Sequence, residues 1–500
     1  MKNLRQHKAI RFLATIALTL ALTGIAIPAQ AQTFTSLHTF GGLDGTPPDG
    51  EYPNGLVQGA NGYLYGTTFG GSSLGNNING IVFKISTSGA ETVLDNFWAE
   101  GPLTGNQAGL VQATNGDFYG TTQTNGAVYK VTPSGAFSDL YNFCVTGLPN
   151  CPDGATPEAT LVQASNGDLY GTTQGGGGAY GQGTIFKITM AGTLTTLHSF
   201  CETQNSEGDC LDGNGPYTAL VQGTNGTLYG ATHVGGANGA GTIFKSTMAG
   251  GFTTLYTFCA VSGCPDGENP YAALVQGADG NFYGITGSGG ACAFGCGGTF
   301  FTITPSGVLT TLYSFCSLAD CTDGNYPMAL MLATDGNFYG MTGAGGANGL
   351  GTIFQITPSG TLTTEHSFDG TDGIVSEDFQ PGPWLIQDTN GKFYGVTSEG
   401  GANYQSCASC NGTVFSLSMG LGPFVKTLPT SGTVGSTVKI LGNNLTGATS
   451  VTFNGTAATF TVVSSTEITT TVPSSATTGT VKVITAAHHT LSSNVAFQVP

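Results

Sequence analysis

The sequence predicts an all-β protein: a seven-bladed β-propeller closed by the strand at its N-terminus and followed by a small immunoglobulin-like β-sandwich. Three observations lead there. A unit of four short extended runs recurs seven times, its seventh copy lacks the fourth run, and an unpartnered run of matching sequence precedes the first copy.

Composition supports a repeat. Five hundred residues exceed what one compact core usually organises, so the chain must either divide into domains or grow by stacking units. Glycine (81) and proline (21) make up a fifth of it, yet 39% hydrophobic and 10% aromatic residues are too many for a disordered linker.

Residues 1–31 read as a signal peptide. Lys2, Arg5, Lys8 and Arg11 precede an apolar run from Phe12 to Ile27 and the small-x-small site Ala29-Gln30-Ala31. The run is shorter than the roughly 20 residues a spanning helix needs, so no membrane insertion is expected. Loss of these four of the twelve basic residues leaves eight lysines against 29 acids, a formal charge of −21. That balance argues against nucleic acid as a partner. With both arginines in the signal, the mature chain also lacks the planar fork used to grip phosphate or carboxylate.

The propeller is assigned to residues 32–421. Tyr-Gly recurs at Tyr65, Tyr119, Tyr170, Tyr229, Tyr283, Tyr339 and Tyr394, at spacings of 51 to 59 residues. In the fifth unit, Leu274-Val275-Gln276 and Phe282-Tyr283-Gly284 flank Asp279-Gly280, a dipeptide suited to a tight hairpin, and all seven units carry Asn-Gly or Asp-Gly there. After a glycine-rich loop, Thr299 to Ile303 and Leu309 to Phe315 flank the turn Pro305-Ser306-Gly307. Four-stranded units of this length, repeated four to eight times, predict a propeller. The seventh unit ends after Thr413 to Leu417, and Phe34-Thr35-Ser36-Leu37-His38-Thr39-Phe40 matches Leu194-Thr195-Thr196-Leu197-His198-Ser199-Phe200. The N-terminal strand is therefore expected to complete blade seven, which removes exposed sheet edges.

These residues resemble the GloVer tandem repeat family of bacterial exported proteins, whose units read much like Leu-Val-Gln-Gly-x-Asp-Gly-Asn-Phe-Tyr-Gly followed by Gly-Thr-Ile-Phe-Lys-Ile-Thr-Pro-Ser-Gly. The resemblance spans residues 33 to 419 and implies the repeat architecture without implying a reaction or a ligand. Family members often end in a C-terminal sorting anchor, which is not visible here. Residues 422–500 form a second composition, rich in Thr, Ser and Val. Pro429 to Gly432, Gly435 to Ile440, Val451 to Gly455 and Ala496 to Val499 resemble an IPT/TIG domain, which implies an immunoglobulin-like sandwich serving as a spacer or docking unit.

In an up-and-down blade, the first and third connections lie on one face of the disc, and the second and blade-to-blade connections on the other. Every long, variable loop then falls on one face, where binding groups usually reside. The twelve cysteines fall there as six local pairs: Cys144 with Cys151, Cys201 with Cys210, Cys259 with Cys264, Cys292 with Cys296, Cys316 with Cys321, and Cys407 with Cys410. Disulfides are expected, because pairs on separate blades without neighbouring histidines do not make a four-ligand zinc site. Cys407-Ala408-Ser409-Cys410 has redox-motif spacing but no following helix to lower a thiol pKa.

Other candidates recur with the repeat. His38, His198 and His366 hold the fourth-strand place of Tyr141, Tyr256 and Tyr313, and read as packing substitutes; His233 stands alone in a loop. The run Gly175 to Gly178 has no helix or lysine to hold phosphate. Acidic turns at Asp49, Asp153, Asp212, Asp266 and Asp323 read as turn formers; no cofactor is expected otherwise, but calcium suits carboxylates, and Asp209, Asp212 and Asn214 are the set nearest to such a site. Tyr52, Tyr217, Tyr271, Tyr326 and Trp384 are expected around the central opening, either stacking on a sugar or peptide or packing between blades.

No Ser-His-Asp grouping assembles from the sequence, and no catalytic residue is assigned. The function expected is a non-catalytic, exported binding or scaffold protein, secreted to the extracellular space or cell surface or held in the periplasm, and contacting protein or glycan through its loop-rich face. The competing expectation is a propeller lyase or hydrolase with an acidic or metal-assisted site at the channel mouth; blade seven, with Asp388 and Trp384, supplies some of the asymmetry that would need.

Overall fold

The computed structural model describes residues 32–499 apart from 42–48, 72–79, 98–107, 124–125, 146–150, 207, 217, 292–296, 377–383 and 403–411. The expected signal segment, Tyr217, and the pairs Cys292 with Cys296 and Cys407 with Cys410 lie outside the described residues. Among the described residues there is no α-helix, only a 3-10 turn at Ala319–Cys321, and there are nine open antiparallel sheets, eight of four strands and one of five.

Seven of these sheets lie between Thr33 and Ser418. The first six occupy residues 51–96, 111–142, 162–199, 221–257, 268–314 and 325–367, with strands in chain order except that in the fifth both Glu268–Pro270 and Val275–Gln276 pair with Phe282–Ser288. The seventh takes Leu385–Gln387, Phe393–Thr397 and Thr413–Ser418, and its fourth strand is Thr33–Thr39. Register shows that this strand stands in for a missing fourth one. Ser36 pairs with Phe415 and His38 with Val414, leaving Leu37 bulged, just as Thr196 pairs with Phe186 and His198 with Ile185, leaving Leu197 bulged. The same irregularity recurs between the last two strands of the other five sheets, where a bulge raises local twist.

Close approach explains the Tyr-Gly signature. Each glycine pairs with an aromatic residue on the third strand, Gly66 with Phe83 and Gly171 with Phe186 for example, and a Cβ there would lie 2.5 or 2.6 Å from the ring. Only glycine leaves room for the ring to cross the strand. The tyrosine serves two purposes. Its hydroxyl bonds the turn residue four positions earlier, as in Asn61 to Tyr65 (2.7 Å), Asn225 to Tyr229 (2.8 Å) and Tyr283 to Asp279 (3.1 Å). Its ring stacks on the next sheet, Tyr65 on Phe118 and Tyr229 on Phe282, both at 4.0 Å, contacts worth about 0.5–1.5 kcal/mol each beyond area burial.

Glutamines link the sheets in series. The Gln112 Oε1 accepts from the Ala60 N–H at 2.9 Å, Gln163 from Thr114, Gln222 from Ser165, Gln276 from Thr224 and Gln387 from Thr334, each joining a sheet to the hairpin turn of the one before it. Gln58 of the first sheet accepts from Thr389 in the turn of the seventh, at 3.2 Å, and donates to its hydroxyl at 2.7 Å. The sixth sheet has Leu332 at this place and lacks the link. Leu332→Gln is expected to supply it and to raise stability by about 1 kcal/mol, the usual net value of such a bond. Thermal denaturation checks this, and a lower melting temperature would count against the link.

The remaining two sheets lie in the C-terminal module. One orders Lys426–Leu428, Thr437–Leu441, Glu467–Thr471 and Phe460–Val462; the other orders Thr456–Ala457, Ser450–Phe453, Val481–Ile484 and Thr490–Ser492. Val438, Ile440 and Ile468 from the first meet Val451, Phe453, Val481 and Val483 from the second in one buried core, as the alternating patterns of these strands require. The module sits on the hairpin turns of the preceding sheets. Thr466 Oγ1 donates to Ala60 O (2.8 Å), Asn443 to Thr389 Oγ1 (2.8 Å), and Lys426 Nζ to Gln387 O. Asp388, a source of asymmetry in the sequence, is 2% exposed beneath it. Burial raises the Asp388 pKa and pushes Lys426 down to about 8, while the charge of each favours ionisation of the other.

Candidate functional site

Two classes of loop gather at the end of the sheets opposite the hairpin turns: the crossovers from one sheet to the next, and the connections between second and third strands. The crossover carbonyls of Cys151, Cys210, Cys264 and Cys321 accept from Gly177, Gly236, Gly290 and Gly346 of those connections, at 2.8 to 3.0 Å. The two classes thereby form a single end of the structure, as the strand order predicts.

Six of the crossovers are organised by an aspartate. Asp153 accepts from the Tyr141 hydroxyl (2.9 Å) and the Cys144 N–H (3.0 Å); Asp212 pairs with His198 (3.0 Å) and Cys201 N–H (3.0 Å); Asp266 and Asp323 accept from Tyr256 (2.8 Å) and Tyr313 (2.7 Å). Asp49 with His38 and Asp372 with His366 repeat the arrangement. The histidines are thus more than packing substitutes for tyrosine, because they keep its hydrogen bond. Burial and the Asp153 carboxylate push Tyr141 up to about 12. Burial works to raise Asp49, but the bonds from His38 and Gly41 prevail and hold it below the usual carboxylate range.

Four crossovers are also closed by disulfides: Cys144–Cys151, Cys201–Cys210, Cys259–Cys264 and Cys316–Cys321. Bridges of this kind persist in oxidising compartments. They close loops of only 5 to 9 residues, so they restrain the crossovers more than the fold.

The expected calcium ligands are drawn to different protein partners. Asp212 is engaged as above, Asp209 accepts from Asn205 (2.9 Å), and Asn214 exchanges backbone hydrogen bonds with Val234. Among the described residues, the grouping with metal-ligand proximity is Cys259, Cys264 and Glu268, but its two sulfurs are joined to each other. The aromatic set divides. Trp384 is 0% exposed and Tyr271 6%, so neither presents a ring face to a ligand, whereas Tyr52 and Tyr326 are half-buried. Tyr271 meets Tyr326 edge-on at 5.4 Å and His233 at 5.9 Å, and Tyr52 meets Phe69 at 6.4 Å. Tyr271 thus packs between neighbouring sheets, whereas Tyr52 and Phe69 belong to the same one.

One group escaped the sequence reading. Glu158, at the entry to the third sheet, is 3% exposed; one carboxylate oxygen accepts from Gln123 of the second sheet and the other, Oε2, has no hydrogen-bond partner. Burial pushes its pKa up to about 7, against which the Gln123 bond works. Its sequence signal was faint: an acid directly after Pro157, where the corresponding segments read Pro270-Tyr271 and Pro327-Met328. His233, between the fourth and fifth sheets, is shifted in the opposite sense, its pKa lowered by burial.

Comparison with known proteins gives a family and no chemistry. No curated protein matches the chain. Among solved structures it is similar to a streptogramin B lyase (14% identity, TM-score 0.49, 77% of this chain and 97% of that one). It is likewise similar to virginiamycin B lyase from Staphylococcus aureus (14%, 0.49, 78% and 99%) and to the gluconolactonase XC5397 from Xanthomonas campestris (12%, 0.38, 78% and 90%). Likenesses of this depth say nothing about activity. The Gloeobacter/Verrucomicrobia repeat matches residues 52–296, 205–404 and 259–468, which together span most of the sequence. The chain belongs to the Gloeobacter/Verrucomicrobia repeat family.

Proposed function

We propose that this chain is an exported seven-bladed β-propeller with an immunoglobulin-like IPT/TIG module, and that it works as a binding scaffold through its loop-rich face. The pairing of Thr33–Thr39 with Thr413–Ser418 and the glutamine links that return from the seventh sheet to the first support the closed ring. The four disulfides and the signal-like residues 1–31 support export. The observation that carries the function is the division between the two ends. The C-terminal module covers hairpin turns at one end, while the disulfide-restrained crossovers at the other display exposed side chains. Recognition groups on restrained loops bind with less loss of conformational freedom than groups on mobile ones.

A glycan array and affinity capture from native envelope material test the reading. The expected result is a saturable ligand whose binding protects the crossovers from hydrogen exchange. Silence in both experiments leaves only a structural role.

A second reading, a lyase or hydrolase acting at the channel mouth, rests on Glu158. A buried carboxyl with a pKa near neutrality and one unpartnered oxygen has the properties of a general acid or base. Turnover of any candidate substrate that is lost in Glu158→Gln would establish it.

A further inference from the structure

We propose that the C-terminal module is a clasp across the junction between the seventh and first sheets, and that it holds this junction shut. The inference goes beyond the scaffold reading and rests on its closed ring. Of the glutamine links between neighbouring sheets, five join residues 49 to 57 positions apart, whereas Gln58 and Thr389 stand 331 apart. Within the seventh sheet, Thr33–Thr39 is likewise held to Thr413–Ser418 by strand pairing across nearly the whole repeat. Closing a longer loop costs more entropy, so this junction is the one at which the fold gains most from a second restraint.

The module provides that restraint. It follows Ser418 in the chain and bonds to the hairpin turns of both sheets. Phe424 N–H donates to Thr389 O (3.0 Å), Asn443 Nδ2 to Thr389 Oγ1 (2.8 Å) and Lys426 Nζ to Gln387 O, all at the turn of the seventh sheet. Thr466 Oγ1 reaches the first sheet, donating to Ala60 O at 2.8 Å. The Thr389 hydroxyl also accepts from Gln58 Nε2 at 2.7 Å, so the module, the seventh sheet and the first sheet meet on one oxygen. Thr389 is 0% exposed and Ala60 6%.

The contact is selective. Among the described residues, the hydrogen bonds from the module to the repeat all end at these two turns. Thr224, Ala278 and Thr334 hold the place of Thr389 in the fourth, fifth and sixth sheets, and they are exposed. Close approach follows the same division. A Cβ at Gly62 would lie 3.0 Å from Thr466, and one at Gly391 2.2 Å from Leu421 O, whereas at Gly167, Gly226, Gly280 and Gly336 it would meet nothing within 4 Å. Gly116 of the second sheet is intermediate, with Lys439 Nζ at 3.6 Å. Over the turns of the second to fourth sheets the module leaves open grooves of about 370 and 260 Å3. A freely tethered spacer needs no such seat. Because the module is tethered a few residues beyond Ser418, its groups meet the junction at high effective concentration.

Hydrogen exchange on the full disulfide-bonded chain tests the clasp in two directions. Asn443→Ala combined with Thr466→Ala removes the bonds to Thr389 Oγ1 and Ala60 O. Exchange in the Thr33–Thr39 and Thr413–Ser418 pair, and at the Phe40 N–H that donates to Gly412 O, is expected to accelerate about tenfold. The equivalent pair of the third sheet, Thr184–Ile188 with Leu194–Ser199, should not change. Gly62→Cys combined with Thr466→Cys tightens the clasp, because a Cβ at Gly62 lies 3.8 Å from the Thr466 Cβ, a separation that suits a disulfide. The crosslink is expected to slow the same exchange about tenfold relative to the two single-cysteine variants, which carry any strain of the substitutions themselves. Unchanged exchange of Thr33–Thr39 in the loosened variant, no slowing by the crosslink, or failure of the crosslink to form overturns the inference while the closed ring stands. If residues 33–39 of the parent exchange as fast as unpaired chain, the closed-ring reading itself fails, and the clasp with it.

Discussion

Replacing Glu158 with glutamine is expected to stabilise the protein by about 3 kcal/mol at pH 8 and to change nothing at pH 4, on the scale of about 1.4 kcal/mol per pKa unit. The carboxyl is 3% exposed, its Oε2 has no partner, and burial raises its pKa from 4.5 to about 7. The folded state therefore holds this proton more tightly than the unfolded state. Its contribution to stability is fully present below pH 4.5, declines as pH rises towards 7, and is absent above that. Glutamine is neutral throughout and escapes the decline. Chemical denaturation of both proteins at pH 4 and pH 8 measures the difference. Glu91, also raised to about 7 by burial, titrates in both proteins and cancels in the comparison. Parallel pH profiles for the two proteins would show that Glu158 is not a buried charge in solution.

Phe40→Ala is expected to cost about 3–5 kcal/mol, the range for truncating a buried aromatic side chain, and to match the cost of Phe200→Ala. Phe40 is 2% exposed, its N–H donates to Gly412 O at 3.0 Å, and its ring meets Phe83 of the first sheet edge-on at 5.2 Å. Phe200 has the same surroundings within a continuous stretch of chain, meeting Phe244 of the next sheet at 5.4 Å. Equal costs mean that the strand preceding the first sheet carries the same load as any fourth strand. A cost for Phe40 several-fold below that for Phe200 would mean that the strand is peripheral to the seventh sheet. Deleting residues 32–40 extends the test. It uncovers Phe415, on which Phe34 stacks at 5.1 Å, and bares a sheet edge, so self-association is expected, with reversal by a synthetic peptide of residues 32–41.

Local pattern made much of this structure legible. Alternation and turn dipeptides mark strands because they act within a few residues, and the match between Phe34 to Phe40 and Leu194 to Phe200 shows in composition alone where the first strand belongs. The four described disulfides join cysteines only 5 to 9 residues apart, so proximity in sequence is proximity in space. The Asn/Asp-Gly turn was legible as a turn, but not as the partner of the tyrosine hydroxyl four residues on.

The strands, their grouping and the neighbour of the first one are encoded in residues close along the chain or in direct copies of one another. Which groups face each other across sheets is set in three dimensions: the glutamine links between residues some fifty positions apart, the burial of Trp384, the charge of Lys426 acting on Asp388, and the unpartnered oxygen of Glu158. The physical reason is that desolvation and hydrogen-bond satisfaction belong to a location in space. A side chain's own identity sets what it can bond, and only the sheet standing opposite sets whether it does.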